Sequence, residues 1–270
     1  MCSTLHFVPR RSEERGHADH GWLKTYHTFS FAMYQDPKHQ RYGPLRVINE
    51  DRVSSLTGFG THPHREFEIF SYIVSGELEH KDSMSNIEIL TRGDIQLTSA
   101  GTGISHSEKN SNKHGVPVHF LQIWSIPSES RLKPAYYTRH FTDEMKKDKW
   151  ARVVASVDDE GVNREREGEG TPAPVHSGLT MYATILSSGK TLEKELNRRK
   201  AYVHVIQTSS EENAQGAKVK LSDGAGGELV LGEGDGAYVA VNSSSAKLIV
   251  ENVSGSEGPT AEILLFDLDA

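Results

Sequence analysis

Cysteine is nearly absent from this 270-residue chain, with Cys2 as its only example. That excludes an intramolecular disulfide and any thiolate-rich zinc or iron–sulfur site, and it fits a reducing, intracellular compartment. Long apolar runs are missing too: nowhere do 18 apolar residues follow one another, and the first 22 residues hold no apolar h-region. Neither secretion nor membrane spanning has a signal, so the expectation is a soluble, cytoplasmic protein without membrane partners. Basic charge is in deficit, with 30 Lys and Arg against 37 Asp and Glu and a formal net charge of −7. No stretch of like charge is longer than that in Asn197–Lys200, so the electrostatic footprint of direct nucleic-acid binding is lacking. Helical periodicity is scarce as well. The one helix candidate is "TDEMKKDKWARVV", starting at Thr142 as N-cap with acidic residues in its first turn.

Glycine, by contrast, is plentiful, with 24 residues. It and other turn residues separate short runs: "FEIFSYIVSG", "NIEILTRGD", "IQLTSAGTG", "VHFLQIW", "MYATILSSG", "AYVHVIQ", "AYVAVN" and "AEILLFDL". Runs of this length, rich in Val, Ile, Tyr and Phe, predict strands at the spacing of an all-β barrel or sandwich. "HTFSFA" predicts an opening strand with Phe29 and Phe31 buried. The length suggests two domains. A faint internal echo, "RGDIQLTSA" against "EGDGAYVAV", points to a duplicated barrel. The division expected is a first barrel over residues 1–134 and a second over 135–270, joined around 127–150. The charged, Gly- and Pro-rich stretch 156–176 reads as a poorly ordered loop.

Two short stretches carry the chemistry. Residues 61–68 read "THPHREFE" and residues 103–108 read "GISHSE". In a strand, residues i and i+2 face the same way, so His62 projects with His64 and His106 with Glu108. Neighbouring strands would bring the four together inside a barrel, with Gly101 and Gly103 allowing the turn that delivers the second pair. Pro63 suits a strand start or a bulge, which is common beside a site. Three imidazoles and one carboxylate suit Fe(II), Cu(II), Ni(II), Mn(II) or Zn(II), and on an octahedral ion they leave two positions open. By strict alternation Glu66 and Glu68 share the face of His62 and His64, where one could orient an imidazole or they could form a salt bridge or a solvated edge, whereas Arg65 faces away. His17, His20 and His27 could line the mouth of such a site, or simply hydrogen-bond at a barrel rim. His204 stands in a strand-like run of the second half with no His-x-His or His-x-Glu beside it, so the second barrel is expected to hold no metal.

"RGHADHGWLKTYHTFSFAMYQDP", "HPHREFEIFSYIVSGELEHKDSMSN", "GDIQLTSAGTGISHSE" and "HFLQIW" resemble the pirin family, and "RRKAYVHVIQ" and "EILLFDL" resemble its C-terminal half. The resemblance is dense over residues 16–125 and looser from about 140 to 260. It implies an all-β bicupin, with two jelly-roll-like cupin barrels packed face to face. It also implies one divalent metal, usually iron, in the first barrel, on His62, His64, His106 and Glu108.

Several similar bicupins oxidise flavonols such as quercetin with dioxygen and release carbon monoxide. The expected function is therefore a quercetin 2,3-dioxygenase-like oxidoreductase using Fe(II), with Cu, Ni, Mn or Zn as alternatives. Glu108 would serve as both ligand and base for the substrate hydroxyl. A different class is also implied by the resemblance: a metal-dependent, redox-sensing transcriptional cofactor that acts through protein partners, in the nucleus as well as the cytoplasm. A Zn-type isomerase or hydrolase on the same scaffold is a third reading.

Overall fold

The computed structural model describes residues 4–209, 216–243 and 246–270. Cys2 lies outside the described residues. The eight quoted runs all form strands, among them Glu68–Ser75, Asp94–Ser99, Val118–Ser125 and Ala261–Leu268. Alternation and β-branched content, which are local properties, suffice to set them. No helix of the described residues is long and apolar enough to cross a membrane.

The chain folds as two compact units that exchange segments. One comprises Gly16–Thr142 and Val153–Gly178; the other comprises Met1–Arg15, Asp143–Arg152 and Leu179–Ala270. A single division at 134/135 therefore differs from what the chain does. The N-terminal strand Leu5–Arg10 pairs antiparallel with Gly236–Val241, Leu5 opposite Val241, which ties the first residues to the last third of the sequence.

The first of these units carries an eight-stranded sheet, with Glu68–Ser75, Val118–Ser125, Leu45–Val53 and Leu23–His27 adjacent in that order. It also carries a four-stranded sheet in the order Gly58–His64, Ile104–Lys109, Leu78–Asp82, Ile87–Leu90. Its apolar cluster draws on both sheets, with Val53, Ile73, Val118 and Phe120 from one and Leu78 and Leu90 from the other. The second unit repeats the plan. Leu179–Leu186, Ala261–Leu268, Lys200–Val205 and Gly236–Val241 neighbour one another, and a separate four-stranded sheet runs Thr191–Leu196, Ala246–Asn252, Lys218–Ser222, Glu228–Gly232. Val203, Val239, Leu248, Val250 and Leu265 meet in its core. Two all-β units, each of two sheets around an apolar core, make the fold a bicupin.

Three expectations are corrected. The helix is only Asp143–Lys146, because Asp148 takes a positive φ of 52° and Ala151–Ser156 is a strand. "HTFSFA" is not a strand: Leu23–His27 ends at its histidine, and although Phe29 is buried, Phe31 is only half-buried. The stretch 156–176 is ordered by short parallel pairings, Glu167–Glu169 with Thr138–His140 and Ala173–Val175 with Val154–Ser156. Arg139, 1% exposed, organises it. Its guanidinium donates to the carbonyls of Asn163, Glu165, Arg166 and Pro172 at 3.0–3.3 Å.

Candidate metal centre

His62 and His64 end the strand Gly58–His64, and its antiparallel neighbour Ile104–Lys109 sets His106 opposite His62 and Ile104 opposite His64. The three imidazoles form a nearly equilateral triangle with ring centroids 4.6–4.8 Å apart. Gly101 and Gly103, at φ of 46° and 143°, make the turn that feeds the second strand. Between His106 and Glu108 the register slips, so that Glu108 faces Phe59. Two residues on the first strand, Gly60 and Thr61, thus oppose the single Ser107, which is a β-bulge. Because His106 and Glu108 share a face, their partners His62 and Phe59 do as well. Gly58 admits no side chain here, since a Cβ would lie 2.3 Å from the Glu108 carbonyl oxygen.

The ring nitrogens are prepared for a cation. His62 Nδ1 lies 2.7 Å from the Gly60 carbonyl oxygen, a contact that requires Nδ1–H and leaves Nε2 with its lone pair. His64 Nε2 and both ring nitrogens of His106 are buried with no hydrogen-bond partner among the described residues. Burial, reinforced by His106 and His62, lowers the His64 pKa to about 4. Burial, with His62 and His80, lowers that of His106 to about 3. Both rings are therefore neutral at physiological pH, the state in which imidazole ligates. Orphaned, neutral nitrogens at this spacing, in a nitrogen and oxygen donor set without sulfur, fit a divalent transition metal.

Glu108 is fully buried and accepts from Gln122 Nε2 at 2.9 Å and from Ser71 Oγ at 3.2 Å. Its ligand atoms cluster with those of His106 and of His80, a residue the sequence reading did not single out. His80 is buried, stacks on Tyr136 at 4.9 Å, and bonds Asp82 Oδ2 through Nε2 at 3.3 Å. Burial alone would raise the Asp82 pKa, but hydrogen bonds from Asn86, His80 and Met84 hold it below the usual carboxylate range. The two overlapping groups, His62–His64–His106 and His80–His106–Glu108, share His106. What could have flagged His80 is its register: it sits opposite Glu108 on the next strand.

The Glu66 and Glu68 expectation needs correcting, because alternation stops where the strand does, at His64. Glu66 has a φ of 56° and accepts from the Arg131 backbone N–H at 3.1 Å. Glu68 is buried and accepts from Ser99 Oγ at 2.6 and 2.7 Å and from the His176 N–H at 3.2 Å. None of these partners is the imidazole of residue 62, 64 or 106.

His62 and His64 open into a cavity of about 470 Å³, inside the range of small-molecule pockets, roughly 300–1,000 Å³. Its walls are largely aromatic. Trp124 meets His64 edge-on at 4.8 Å and Phe31 at 5.5 Å, while Trp22 and Phe59 pack edge-to-face at 5.3 Å. Of the three N-terminal histidines, His20 and His27 line the cavity, and His17 stacks on Tyr26 at 4.7 Å. His204 is buried in the strand Lys200–Val205 of the other unit.

Comparison with known proteins gives concordant results. The profile of the family described as Pirin matches residues 8–125. A protein named quercetin 2,3-dioxygenase from Escherichia coli K12 is 35% identical over 260 residues, 96% of this chain and 97% of its own. A pirin-like protein of Caulobacter vibrioides is 30% identical, over 79% of this chain and 87% of its own. The crystal structure of the bacterial pirin YhhW from Escherichia coli in complex with nickel(II) superposes with a TM-score of 0.78. It has 31% sequence identity and covers 98% of this chain and 99% of that one.

Proposed function

The chain belongs to the pirin family, and from that premise we propose that it is a metal-dependent dioxygenase that opens flavonols such as quercetin with release of carbon monoxide. The resident ion is Fe(II), held by His62, His64, His106 and Glu108. One observation carries the reading: a triangle of three imidazoles, with buried, unpartnered nitrogens on His64 and His106, adjoins a cavity of about 470 Å³ whose walls include Trp22, Phe31, Phe59 and Trp124. The names of the relatives support the dioxygenase, and the nickel in the YhhW structure supports a divalent metal.

When bound, the ion supplies Lewis acidity toward the enol and ketone oxygens of the flavonol and a route for electrons between substrate and dioxygen. The remaining work falls to the side chains. Trp22, Phe31, Phe59 and Trp124 offer flat apolar surface to a planar ring system and exclude water from the reacting carbons. Glu108 receives the proton of the substrate's enol hydroxyl, and Gln122 and Ser71 keep its carboxylate in place by hydrogen bonds. His62 is kept in one tautomer by the Gly60 carbonyl, so the ligand nitrogen needs no rearrangement.

The test is anaerobic purification with metal quantitation, followed by dioxygen uptake and carbon monoxide detection with quercetin. About one metal per chain and equal amounts of dioxygen consumed and carbon monoxide released are expected. A metal-loaded protein that consumes no dioxygen with any flavonol would refute the dioxygenase and favour the non-enzymatic regulator.

A further inference from the structure

The cavity has a second polar feature on the wall formed by the eight-stranded sheet, whereas His62 and His64 come from the four-stranded one. The strands Leu23–His27 and Leu45–Val53 pair with Thr25 opposite Asp51 and His27 opposite Asn49, and all four residues line the cavity. Two of them satisfy each other, as His27 Nδ1 lies 2.8 Å from Asn49 Oδ1. Asp51 is different. It is 3% exposed and takes a hydrogen bond from the Thr25 side chain, yet its Oδ1 is buried with no partner among the described residues. A buried carboxylate oxygen without a protein donor is destabilising, and such exceptions call for a functional account. A ligand in the cavity would supply the missing donor.

We propose that Asp51 determines substrate specificity: its Oδ1 accepts a hydrogen bond from a phenolic hydroxyl remote from the enol–ketone pair that faces the histidines. The inference rests on the flavonol reading above and adds to it which end of the substrate is recognised and by what. The surrounding wall, with Trp22, Leu23 and Phe59, suits a neutral aromatic ligand that brings a single polar tip to this point. Burial, helped by the negative charges of Glu108 and Glu50 and opposed by Thr25, raises the Asp51 pKa to about 7.

Equilibrium titration under anaerobic conditions, where no turnover occurs, separates the possibilities. The metal-loaded wild type, Asp51→Ala and Asp51→Asn are titrated with quercetin and with 3-hydroxyflavone, which keeps the enol–ketone pair and has no other hydroxyl. Metal content and melting temperature are measured on the same samples. Asp51→Ala should weaken quercetin binding about tenfold or more and leave 3-hydroxyflavone within roughly twofold. Asp51→Asn keeps an acceptor oxygen and should fall between; its quercetin to 3-hydroxyflavone ratio decides the matter if the alanine variant does not fold. An unchanged ratio would overturn the Asp51 assignment alone. A metal-loaded wild type that binds neither compound would overturn the flavonol reading and this inference with it.

Discussion

Gln122 Nε2 donates to Glu108 Oε2 at 2.9 Å, so a side chain of the cavity wall holds a carboxylate that is itself sealed from solvent. The contact ties the eight-stranded sheet to the four-stranded one at the candidate metal centre. It gives Glu108, the base of the proposed reaction, a fixed orientation.

Glu108→Gln should therefore keep a substantial fraction of the metal, since three imidazoles remain. It should lose about a hundredfold or more in turnover, the usual contribution of a positioned base. The defect should shrink at higher pH, where the flavonol arrives already ionised. Metal content and turnover against pH are the readouts, and unchanged turnover in a metal-loaded variant removes the base role.

The choice between the two overlapping donor groups is tested by substitution. His62→Ala, His64→Ala and His106→Ala should each abolish stoichiometric metal while the barrel stays folded, because the apolar cluster around Ile73, Val118 and Phe120 supplies the stability. His80→Phe keeps the ring stack on Tyr136 and should retain the metal, as should His204→Ala. Loss of metal in His80→Phe with retention in His62→Ala would move the centre to His80, His106 and Glu108.

Glu68 makes stability depend on pH. Burial raises its pKa from 4.5 to about 7, against hydrogen bonds from Ser99 and the His176 N–H. Between those values the folded chain keeps a proton that the unfolded chain has released, so this group's contribution to stability falls as pH rises from about 4.5 to about 7 and levels off above. Glu68→Gln should remove that slope. The variant should gain on wild type by on the order of 2 kcal/mol between pH 5 and pH 8, measured by urea unfolding at each pH. A constant difference across the range would show that the carboxyl ionises normally.

How much of this was legible before the fold depended on how local each feature is. The strand runs and the pairs His62/His64 and His106/Glu108 follow from a pleat of period two, which a few consecutive residues define. His80 has no such pattern around it; only the pairing of Leu78–Asp82 with Ile104–Lys109 brings it beside Glu108. Glu66 and Glu68 were misplaced because alternation was carried past the strand end at His64, into a backbone turn at Glu66. The exchange of segments between units was equally invisible, since the partner of Leu5–Arg10 lies more than two hundred residues away. Cavity wall residues such as Gln122 and Trp124 were within reach as an i, i+2 pair in "VHFLQIW", but nothing local said which face was inward.

The stretch 156–176 should owe its order to Arg139. Arg139→Ala removes donors to four carbonyls of residues 163–172. It should raise amide exchange there well above wild type and destabilise its unit by about 2–4 kcal/mol. Hydrogen exchange with mass detection reads the first effect and thermal unfolding the second; unchanged protection across 163–172 would show that the parallel pairings alone suffice.

The bulge at Gly60 and Thr61 makes the strand Gly58–His64 an adapter between two phases of the pleat. On one side of it His62 and His64 keep step with His106; on the other, Phe59 turns to the same face across from Glu108. Deleting one residue at this point would leave a single residue opposite Ser107 and restore the regular pleat, with Phe59 still opposite Glu108 and on the face of His62. The pairing on both sides of the bulge, Phe59 with Glu108 and His62 with His106, can therefore survive a one-residue change in chain length.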